Sequence, residues 1–267
     1  MNNQPIGIFD SGLGGLTVAN AVYRHLPNEH MVYFGDSAHL PYGDKSAATI
    51  QAYSVKICDV LLQKNCKLIL IACNSASAAA YELVKAYVGS KAKVLNVIDP
   101  VVKYVAEKYS GKRVGLIGTK QTVGSGVYEY QLKVSDPSIQ FSALATPLLV
   151  PMIEEGFHNN NISEAIIQQY LSDPILSNID TLILGCTHYP LIKQEIDKYY
   201  GGKIEVIDSS IIVAKALEQY LEAEGLSAKA LEGDHEFLVS DITPSFEKAA
   251  ELFFGRKVPL QKHILWE

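Results

Sequence analysis

Short runs of apolar residues alternate with longer amphipathic segments along the whole chain. The apolar runs are PIGIFD (5–10), HMVYFGD (30–36), KLILIAC (67–73), KVLNVID (93–99), KRVGLIG (112–118), IQFSALA (139–145), DTLILGC (180–186), KIEVID (203–208) and HEFLVSD (235–241). Nearly continuous apolar runs of this length predict strands that are buried on both faces. The segments between them have helical spacing, as at Ala47, Ile50, Tyr53, Ile57, Val60 and Leu61. The pattern predicts an α/β protein with mostly parallel sheets flanked by helices.

The same order of features occurs twice, about 110 residues apart. GIFDSG at 7–12 aligns with GLIGTK at 115–120, and LILIACNSA at 68–76 aligns with TLILGCTHY at 181–189. LNVIDP at 95–100 then aligns with IEVIDS at 204–209. Any α/β chain can produce such coincidences, but here two cysteines coincide as well, which favours a true repeat.

We therefore predict two similar lobes of the flavodoxin-like type, related by a pseudo-twofold axis, with the active site in the cleft between them. The first lobe comprises residues 1–97 and a returning segment, 209–267, and the second comprises residues 98–208. Ligands of open α/β sheets bind at the carboxyl ends of the strands. Cys73 and Cys186 each lie at such an end.

Composition narrows the possible partners. The 267-residue chain is 48% hydrophobic, which suffices for a folded core, and its net charge is −6. An acidic chain without a Lys/Arg run lacks the positive surface that binds nucleic acid or anionic membranes. No stretch reaches the roughly 18 apolar residues of a membrane span, and no signal peptide is recognisable. We expect a cytoplasmic protein without nucleic-acid or membrane binding.

The four cysteines have different sequence contexts. They show neither the spacing of a disulfide framework nor that of a zinc site, so we expect reduced thiols and no metal. Cys58 on a helix and Cys66 before a strand are expected to fill the core, as unpaired cysteines commonly do. Cys73 and Cys186 are different, because polar residues follow both directly.

If equivalent strand ends meet across the cleft, the thiols of Cys73 and Cys186 face each other around one small substrate. One thiolate then removes a proton from a carbon while the opposite thiol returns one, which inverts a stereocentre. Asp10 and His188 follow neighbouring strand ends and are candidates for relaying the thiol protons. Asp10 has a structural alternative, which is to cap the following helix.

Two loops complete the candidate site. The glycine-rich DSGLGG at 10–15 departs from GxGxxG and has no P-loop lysine after it, so its backbone amides are expected to hold a carboxylate and not a nucleotide. SAHLPYGDKS at 37–46 has turn chemistry at Pro41 to Gly43 and a helix start at Asp44 or Ser46. By itself, this second loop is a simple connection.

Several segments together resemble the glutamate racemases of the cofactor-independent aspartate/glutamate racemase superfamily. They are IGIFDSGLGGLTV (6–18), YFGDSAHLPYG (33–43), ACNSASA (72–78), IGTKQTV (117–123), PLLVPMIEEG (147–156) and LGCTHYPLI (184–192). The resemblance extends from about residue 5 to residue 265.

This resemblance implies interconversion of L- and D-glutamate for peptidoglycan synthesis, with no cofactor, in a homodimer. It implies that Cys73 exchanges the α-proton on the D-glutamate side and Cys186 on the L-glutamate side, assisted by Asp10, His188 and Glu154. The implied substrate contacts are Asp10, Ser11, Pro41, Tyr42, Gly43, Asn74, Ser75, Thr119, Thr122, Thr187 and His188. Hydroxyl and amide donors suit the stabilisation of a carbanion beside a carboxylate.

Two alternatives stay open at this point. Ser75 stands where the family usually has threonine, and the same scaffold serves aspartate and other small amino acids. A protein of another class, an amino-acid sensor or a protein-binding module, would bind a ligand without exchanging its α-proton. The pair of cysteines argues against such a role as the only activity.

Overall fold

The computed structural model describes residues 2–266, which form two parallel β-sheets flanked by helices. The first sheet contains β1 (Ile6–Asp10), β2 (Met31–Gly35), β3 (Leu68–Ile71), β4 (Lys93–Asn96), β9 (Glu236–Val239) and β10 (Leu260–Lys262). The second contains β5 (Arg113–Gly118), β6 (Gln140–Ala145), β7 (Thr181–Gly185) and β8 (Glu205–Ile207). Every strand pair in these two sheets is parallel.

Helices connect the strands, as parallel pairing requires. They are α1 (Leu16–His25), α2 (Ala47–Gln63), α3 (Asn74–Val88), α4 (Ile98–Lys108), α5 (Lys120–Gly124), α6 (Val127–Ser135), α7 (Leu149–Glu154), α8 (Asn161–Leu171), α9 (Lys193–Tyr200), α10 (Ser209–Ala223) and α11 (Pro244–Phe254). Among residues 2–266, no helix has both the length and the apolar character needed to cross a membrane.

The two sheets repeat one topology. The strand order is β10-β9-β2-β1-β3-β4 in the first sheet and β6-β5-β7-β8 in the second. In each, the first four strands along the chain lie in the flavodoxin-like order 2-1-3-4. The internal repeat detected in the sequence corresponds to this shared order, with β3 and β7 each ending just before a cysteine.

The α/β prediction is confirmed, and each predicted apolar run contains a strand. The predicted helix at 47–61 is α2, which buries Ile50, Ile57 and Leu61. The sequence missed β10, whose three residues Leu260–Lys262 are partly or fully exposed. A strand this short with one apolar residue carries no periodic signal.

The segment after Asp208 returns to the first sheet. Helix α10 packs against α1, and β9 pairs with β2 in register from Val32 opposite Glu236. Strand β10 then pairs with β9. The division into 1–97 with 209–267 and 98–208 stays a prediction.

The sheets share a core. One continuous cluster of buried apolar side chains includes Ile8 of β1, Leu16 of α1 and Leu184 of β7. Cys58 and Cys66 are buried in a second cluster beneath α2, as expected of structural cysteines. The strand order reverses between β1 and β3 in the first sheet and between β5 and β7 in the second. In such folds, ligands bind at the carboxyl ends of the two strands on either side of the reversal.

Candidate active site

A cavity of about 240 Å³ lies at these strand ends and is lined by residues of both sheets. The predicted site residues on its wall are Ser11, Pro41, Tyr42, Gly43, Cys73, Asn74, Ser75, Thr119, Glu154, Cys186, Thr187 and His188. Residues separated by more than a hundred positions in the sequence therefore meet around one space. Both cysteines that end a repeated strand are among them.

Two predicted site residues lie behind this wall. Asp10 is fully buried and does not line the cavity. Thr122 is also buried, and its hydroxyl lies 3.1 Å from Thr119 Oγ1 and 3.3 Å from Ser75 Oγ. In this arrangement both residues support wall residues and do not face the cavity.

The cavity also contains residues that the sequence did not single out. They are Gly12, Leu40, Asp44, Lys120, Thr146, Pro147, Val150, Pro151 and Gly185. Most lie within the segments that carry the family resemblance, but no role was predicted for them individually. Lys120 is the notable addition, because a basic side chain was not expected here; its Nζ lies 3.1 Å from Asp44 Oδ1 at an exposed edge of the cavity.

Cys73 occupies the N-cap of α3. Its Sγ accepts a hydrogen bond from the Ala76 backbone N–H at 3.4 Å, and Ser11 Oγ lies 3.7 Å from the same sulfur. Burial, and then the negative charge of Asp10, raise the pKa of the Cys73 thiol to about 12, against the opposing effects of these two hydrogen bonds. Cys73 is therefore a thiol at neutral pH, with donors already placed to receive a thiolate.

Cys186 has a different neighbourhood. Its Sγ lies 3.7 Å from His188 Nδ1, and His188 Nε2 lies 2.9 Å from Glu154 Oε1. Burial alone lowers the pKa of His188, but the contacts with Cys186 and Glu154 outweigh burial and raise it to about 10. The imidazole ring also packs edge-on against Phe253, with 5.0 Å between ring centroids. Glu154, His188 and Cys186 form a continuous chain of polar contacts.

Asp10 is not the N-cap of α1, which is Gly15, but it has a structural role in the loop before that helix. Its Oδ2 accepts a hydrogen bond from the Gly12 N–H at 3.0 Å, and Thr187 Oγ1 lies 3.4 Å from Oδ1. Burial raises the pKa of Asp10, against the opposing effects of His188 and of the Gly15 and Gly12 amides. Asp10 acts on Cys73 through its charge, while the direct side-chain contact to the sulfur comes from Ser11.

The glycine-rich loop permits close approach of the two halves. A Cβ on Gly14 would lie 2.3 Å from Thr187 Oγ1 and 2.4 Å from His188 Nδ1. The hydroxyl of Thr17 donates to the Thr187 carbonyl at 2.9 Å across the same boundary. Sequence reasoning did not find this role, because the partner segment is distant in sequence.

The first residues of α3 also contact the second half of the chain. Ser75 Oγ lies 2.8 Å from Thr119 Oγ1, which caps α5. The Asn74 Oδ1 atom accepts a hydrogen bond from the Tyr128 hydroxyl at 2.8 Å. Three consecutive residues, Cys73 to Ser75, thus present a thiol, an amide and a hydroxyl at one wall.

The loop 37–46 forms another wall. The Tyr42 hydroxyl donates to Asp36 Oδ2 at 2.6 Å, which anchors the loop to the end of β2. Gly43 lies so close to Thr119 that an added Cβ would be 2.8 Å from the threonine Cβ. Ser46 caps α2 by accepting from the Thr49 N–H at 3.3 Å, so the later of the two predicted helix starts is correct.

This arrangement suits proton exchange at a carbon acid. Two thiols are available, one beside a histidine and one at a helix N-terminus, and free thiols titrate close enough to neutrality to give or take protons. The remaining polar wall is mainly hydroxyl and amide groups, which are suited to carboxylates. A cavity of this volume accommodates a small molecule.

Similarities to known proteins agree with this chemistry. Residues 16–217 match the family described as Asp/Glu/hydantoin racemase. A glutamate racemase of Chlorobaculum parvum is 38% identical over 258 residues, covering 96% of this chain and 94% of its own. The Francisella tularensis glutamate racemase, solved in complex with D-glutamate, has a TM-score of 0.93 at 38% identity and covers 99% of both chains.

A third protein extends the agreement. The Thermus thermophilus glutamate racemase, solved in complex with β-chloro-D-alanine, has a TM-score of 0.88 at 36% identity and covers 99% of this chain and 98% of its own. Both Cys73 and Cys186 lie within the region that matches the family. The chain therefore belongs to the Asp/Glu/hydantoin racemase family, in its glutamate racemase branch.

Proposed function

We propose that this protein interconverts L-glutamate and D-glutamate by proton exchange at the α-carbon between two cysteines. The observation that carries the proposal is that Cys73 and Cys186, which follow equivalent strands of the two sheets, line one small cavity. Relatives at 38% identity over nearly the whole chain carry the name glutamate racemase. A D-glutamate complex of a relative with the same fold supports the choice of substrate.

In the direction from L- to D-glutamate, Cys186 takes the α-proton. The Cα–H bond breaks, an S–H bond forms on Cys186 and the electron pair stays on the substrate. Cys73 then gives its proton to the opposite face, so its S–H bond breaks and a new Cα–H bond forms. The raised pKa of Cys73 supports this assignment, since it keeps that thiol protonated until the carbanion accepts the proton.

His188 assists on the Cys186 side and Asp10 on the Cys73 side. The Nδ1 atom of His188 is within reach of the Cys186 proton, and Glu154 orients the ring from its other nitrogen. Asp10 acts through its charge, which disfavours a thiolate on Cys73 and so keeps that thiol protonated until the carbanion forms. The reverse reaction uses the same groups in opposite order.

The carbanion adjoins an ionised carboxylate, so its formation concentrates negative charge. Preorganised donors aimed at that carboxylate are the usual means of lowering such a barrier. Asn74, Ser75, Thr119 and Thr187 supply amide and hydroxyl donors on the wall. Tyr42 and Gly43 adjoin Thr119 on another side and are suited to the second carboxylate.

We assign Asp10 and Thr122 indirect roles in substrate binding, because both lie behind the wall. Asp10 positions Thr187, and Thr122 positions Ser75 and Thr119. The proposed site requires no cofactor and no metal.

In the cell, we propose that the reaction supplies D-glutamate for peptidoglycan synthesis, in the cytoplasm, by a homodimer. The proposed dimer and biological role rest on the resemblance to the glutamate racemases. Four unpaired cysteines are consistent with a reducing compartment.

Incubation with L-glutamate in D₂O, without added cofactor, tests the activity. We expect loss of optical rotation with incorporation of deuterium at the α-carbon, followed by circular dichroism and mass spectrometry. Unchanged rotation and no deuterium incorporation would contradict the proposal. Deuterium incorporation is also the measurement that separates an enzyme from an amino-acid sensor, which binds without exchange.

The cysteine roles have their own test. Cys73→Ala and Cys186→Ala should each abolish racemization, because inversion needs an acid and a base on opposite faces. Cys58→Ala is the control, since that thiol lies in the core beneath α2 and away from the cavity. Racemization by either of the first two variants at near the wild-type rate would exclude the two-cysteine mechanism.

A second substrate deserves direct comparison. Ser75 carries one methyl group less than the threonine usual in the branch, so L-aspartate is the competing substrate to measure. We expect kcat/KM for glutamate to exceed that for aspartate. The opposite order would assign the protein to aspartate.

A further inference from the structure

The side-chain amide of Asn74 is held at one end only. Its Oδ1 accepts from the Tyr128 hydroxyl at 2.8 Å, whereas its Nδ2 has no hydrogen-bond partner among residues 2–266. Asn74 is 2% exposed and lines the cavity. Buried amide groups are normally paired, so an unpaired donor at a cavity wall indicates a ligand acceptor.

Whether the unpaired atom of the Asn74 amide is the nitrogen or the oxygen decides which ligand group this wall binds. The two ends of an asparagine amide have nearly the same shape, and turning the side chain over would exchange a donor for an acceptor. A free NH₂ group favours a carboxylate, whereas a free oxygen would repel it. Some other group must therefore fix the orientation of Asn74.

Tyr128 has the properties needed to fix it. The residue is 2% exposed, and burial raises the pKa of its hydroxyl well above the ordinary value, so the hydroxyl keeps its proton. Asn74 Oδ1 is the one hydrogen-bond partner of this hydroxyl in the described part of the chain. Since a buried hydroxyl needs an acceptor, it selects the oxygen end of the amide and leaves Nδ2 as the donor without a partner.

The position of Tyr128 is well determined by the fold. Gly126, with φ +67°, is the N-cap of α6, which begins at Val127. The Tyr128 ring belongs to a buried cluster with Val101 of α4 and Leu116 of β5. Its hydroxyl therefore extends from the core of the second sheet to Asn74 at the start of α3, a helix that follows a strand of the first sheet.

We propose that Tyr128 is a positioning residue that holds the Asn74 amide with its NH₂ group towards the substrate and so makes this wall a carboxylate subsite. The inference rests on the proposed function. Because Asn74 directly follows Cys73, whose sulfur must reach the α-carbon, the carboxylate bound here is the one attached to that carbon. Its negative charge grows as the proton leaves, so the hydrogen bond strengthens in the transition state.

Tyr128→Phe tests the proposal, because it removes the hydroxyl and keeps the ring. We expect kcat/KM for glutamate to fall about 10-fold, in line with the loss of one hydrogen bond to a charged group. Both a higher KM and a lower kcat should contribute. Tyr104→Phe is the matched control, since Tyr104 lies on α4 in the same half of the chain and its hydroxyl contacts Glu205 of β8 and not the cavity.

A double-mutant cycle with Asn74→Ala shows whether Tyr128 acts through Asn74. In the Asn74→Ala background, Tyr128→Phe should change kcat/KM less than 2-fold, because no amide remains to be oriented. An equal loss in both backgrounds would overturn the proposal and assign Tyr128 a general structural role. Unchanged kcat/KM in the single variant would overturn it too.

Calorimetric titration with D-glutamate separates this inference from the proposed function. If the wild type does not racemize glutamate but binds it, the proposed activity is wrong. The positioning role is then supported by a 10-fold weaker Kd in Tyr128→Phe and overturned by an equal Kd. If the wild type neither binds nor racemizes glutamate, both proposals are wrong.

Discussion

Individual residues give the two cysteines unequal surroundings. Cys73 faces the charge of the buried Asp10, whereas Cys186 is beside His188. A negative neighbour disfavours a thiolate, and the positively charged form of histidine attracts negative charge. The site is thus prepared for a cycle that begins with Cys73 protonated.

Replacement of Asp10 tests the effect of its charge. In Asp10→Asn we expect the pKa of Cys73 to fall, because a negative charge that raises it has been removed. The rate of Cys73 alkylation by iodoacetamide, followed against pH by mass spectrometry, should rise at a lower pH than in the wild type. Asp99→Asn, on α4, is the control, and an unshifted profile in Asp10→Asn would contradict the assignment.

His188 makes stability depend on pH. Its folded pKa of about 10 lies above the ordinary value of 6.5. The stability due to its proton is therefore fully present below pH 6.5 and is lost as the pH rises through about 10. The difference in free energy of unfolding between wild type and His188→Asn should shrink over this range in urea titrations. Parallel pH curves for the two proteins would show that the pKa is not raised.

At the scale of elements, the loop before α1 and the loop after β7 fit together only because Gly14 has no side chain. The close approach brings Thr187 and His188 against the start of α1. Since the contact joins residues far apart in sequence, a glycine-rich pattern alone cannot reveal it.

Gly14→Ala should separate these two loops. An added Cβ would overlap Thr187 Oγ1 and His188 Nδ1, so we expect a loss of stability of about 1–3 kcal/mol and a clear fall in racemization. Gly124→Ala is the control, because nothing lies within 4 Å of a Cβ at that helical position. Denaturant unfolding and kcat provide the readouts, and equal behaviour of both variants would contradict this role of Gly14.

The strands and the sites at their ends were predictable because each depends on a local pattern. Apolar runs followed by polar residues located Cys73 and Cys186 without any tertiary information. The burial of Asp10 and Thr122 behind the cavity wall was not predictable, since it depends on which segments of the folded chain cover them. The Tyr128 contact was likewise hidden, because its partner lies on another helix.

For the whole molecule, a buried ion pair joins distant parts of the chain. Lys67 Nζ lies 2.6 Å from Glu29 Oε2 and 2.8 Å from the Leu226 carbonyl, and the Ala228 N–H donates to Glu29 Oε1 at 2.7 Å. Both side chains are almost fully buried. The pair links the segments before β2 and β3 to the segment that returns from α10.

Breaking this pair should be costly. Lys67→Met leaves a buried carboxylate without its cation, so we expect a loss of about 3–5 kcal/mol in the free energy of unfolding. Lys93→Met is the control, because its ion pair with Glu224 is exposed and exposed ion pairs contribute little to stability. Similar losses in urea unfolding for both variants would contradict the importance of burial.

The late position of β9 in the chain has a consequence for biosynthesis. A ribosome completes all strands of the second sheet at Ile207, when the first sheet still lacks β9 and β10. Until residue 239 emerges, β2 presents an open edge, and unpaired edges promote association between nascent chains. The sheet whose first strands are translated first is therefore the sheet whose last strands are translated last.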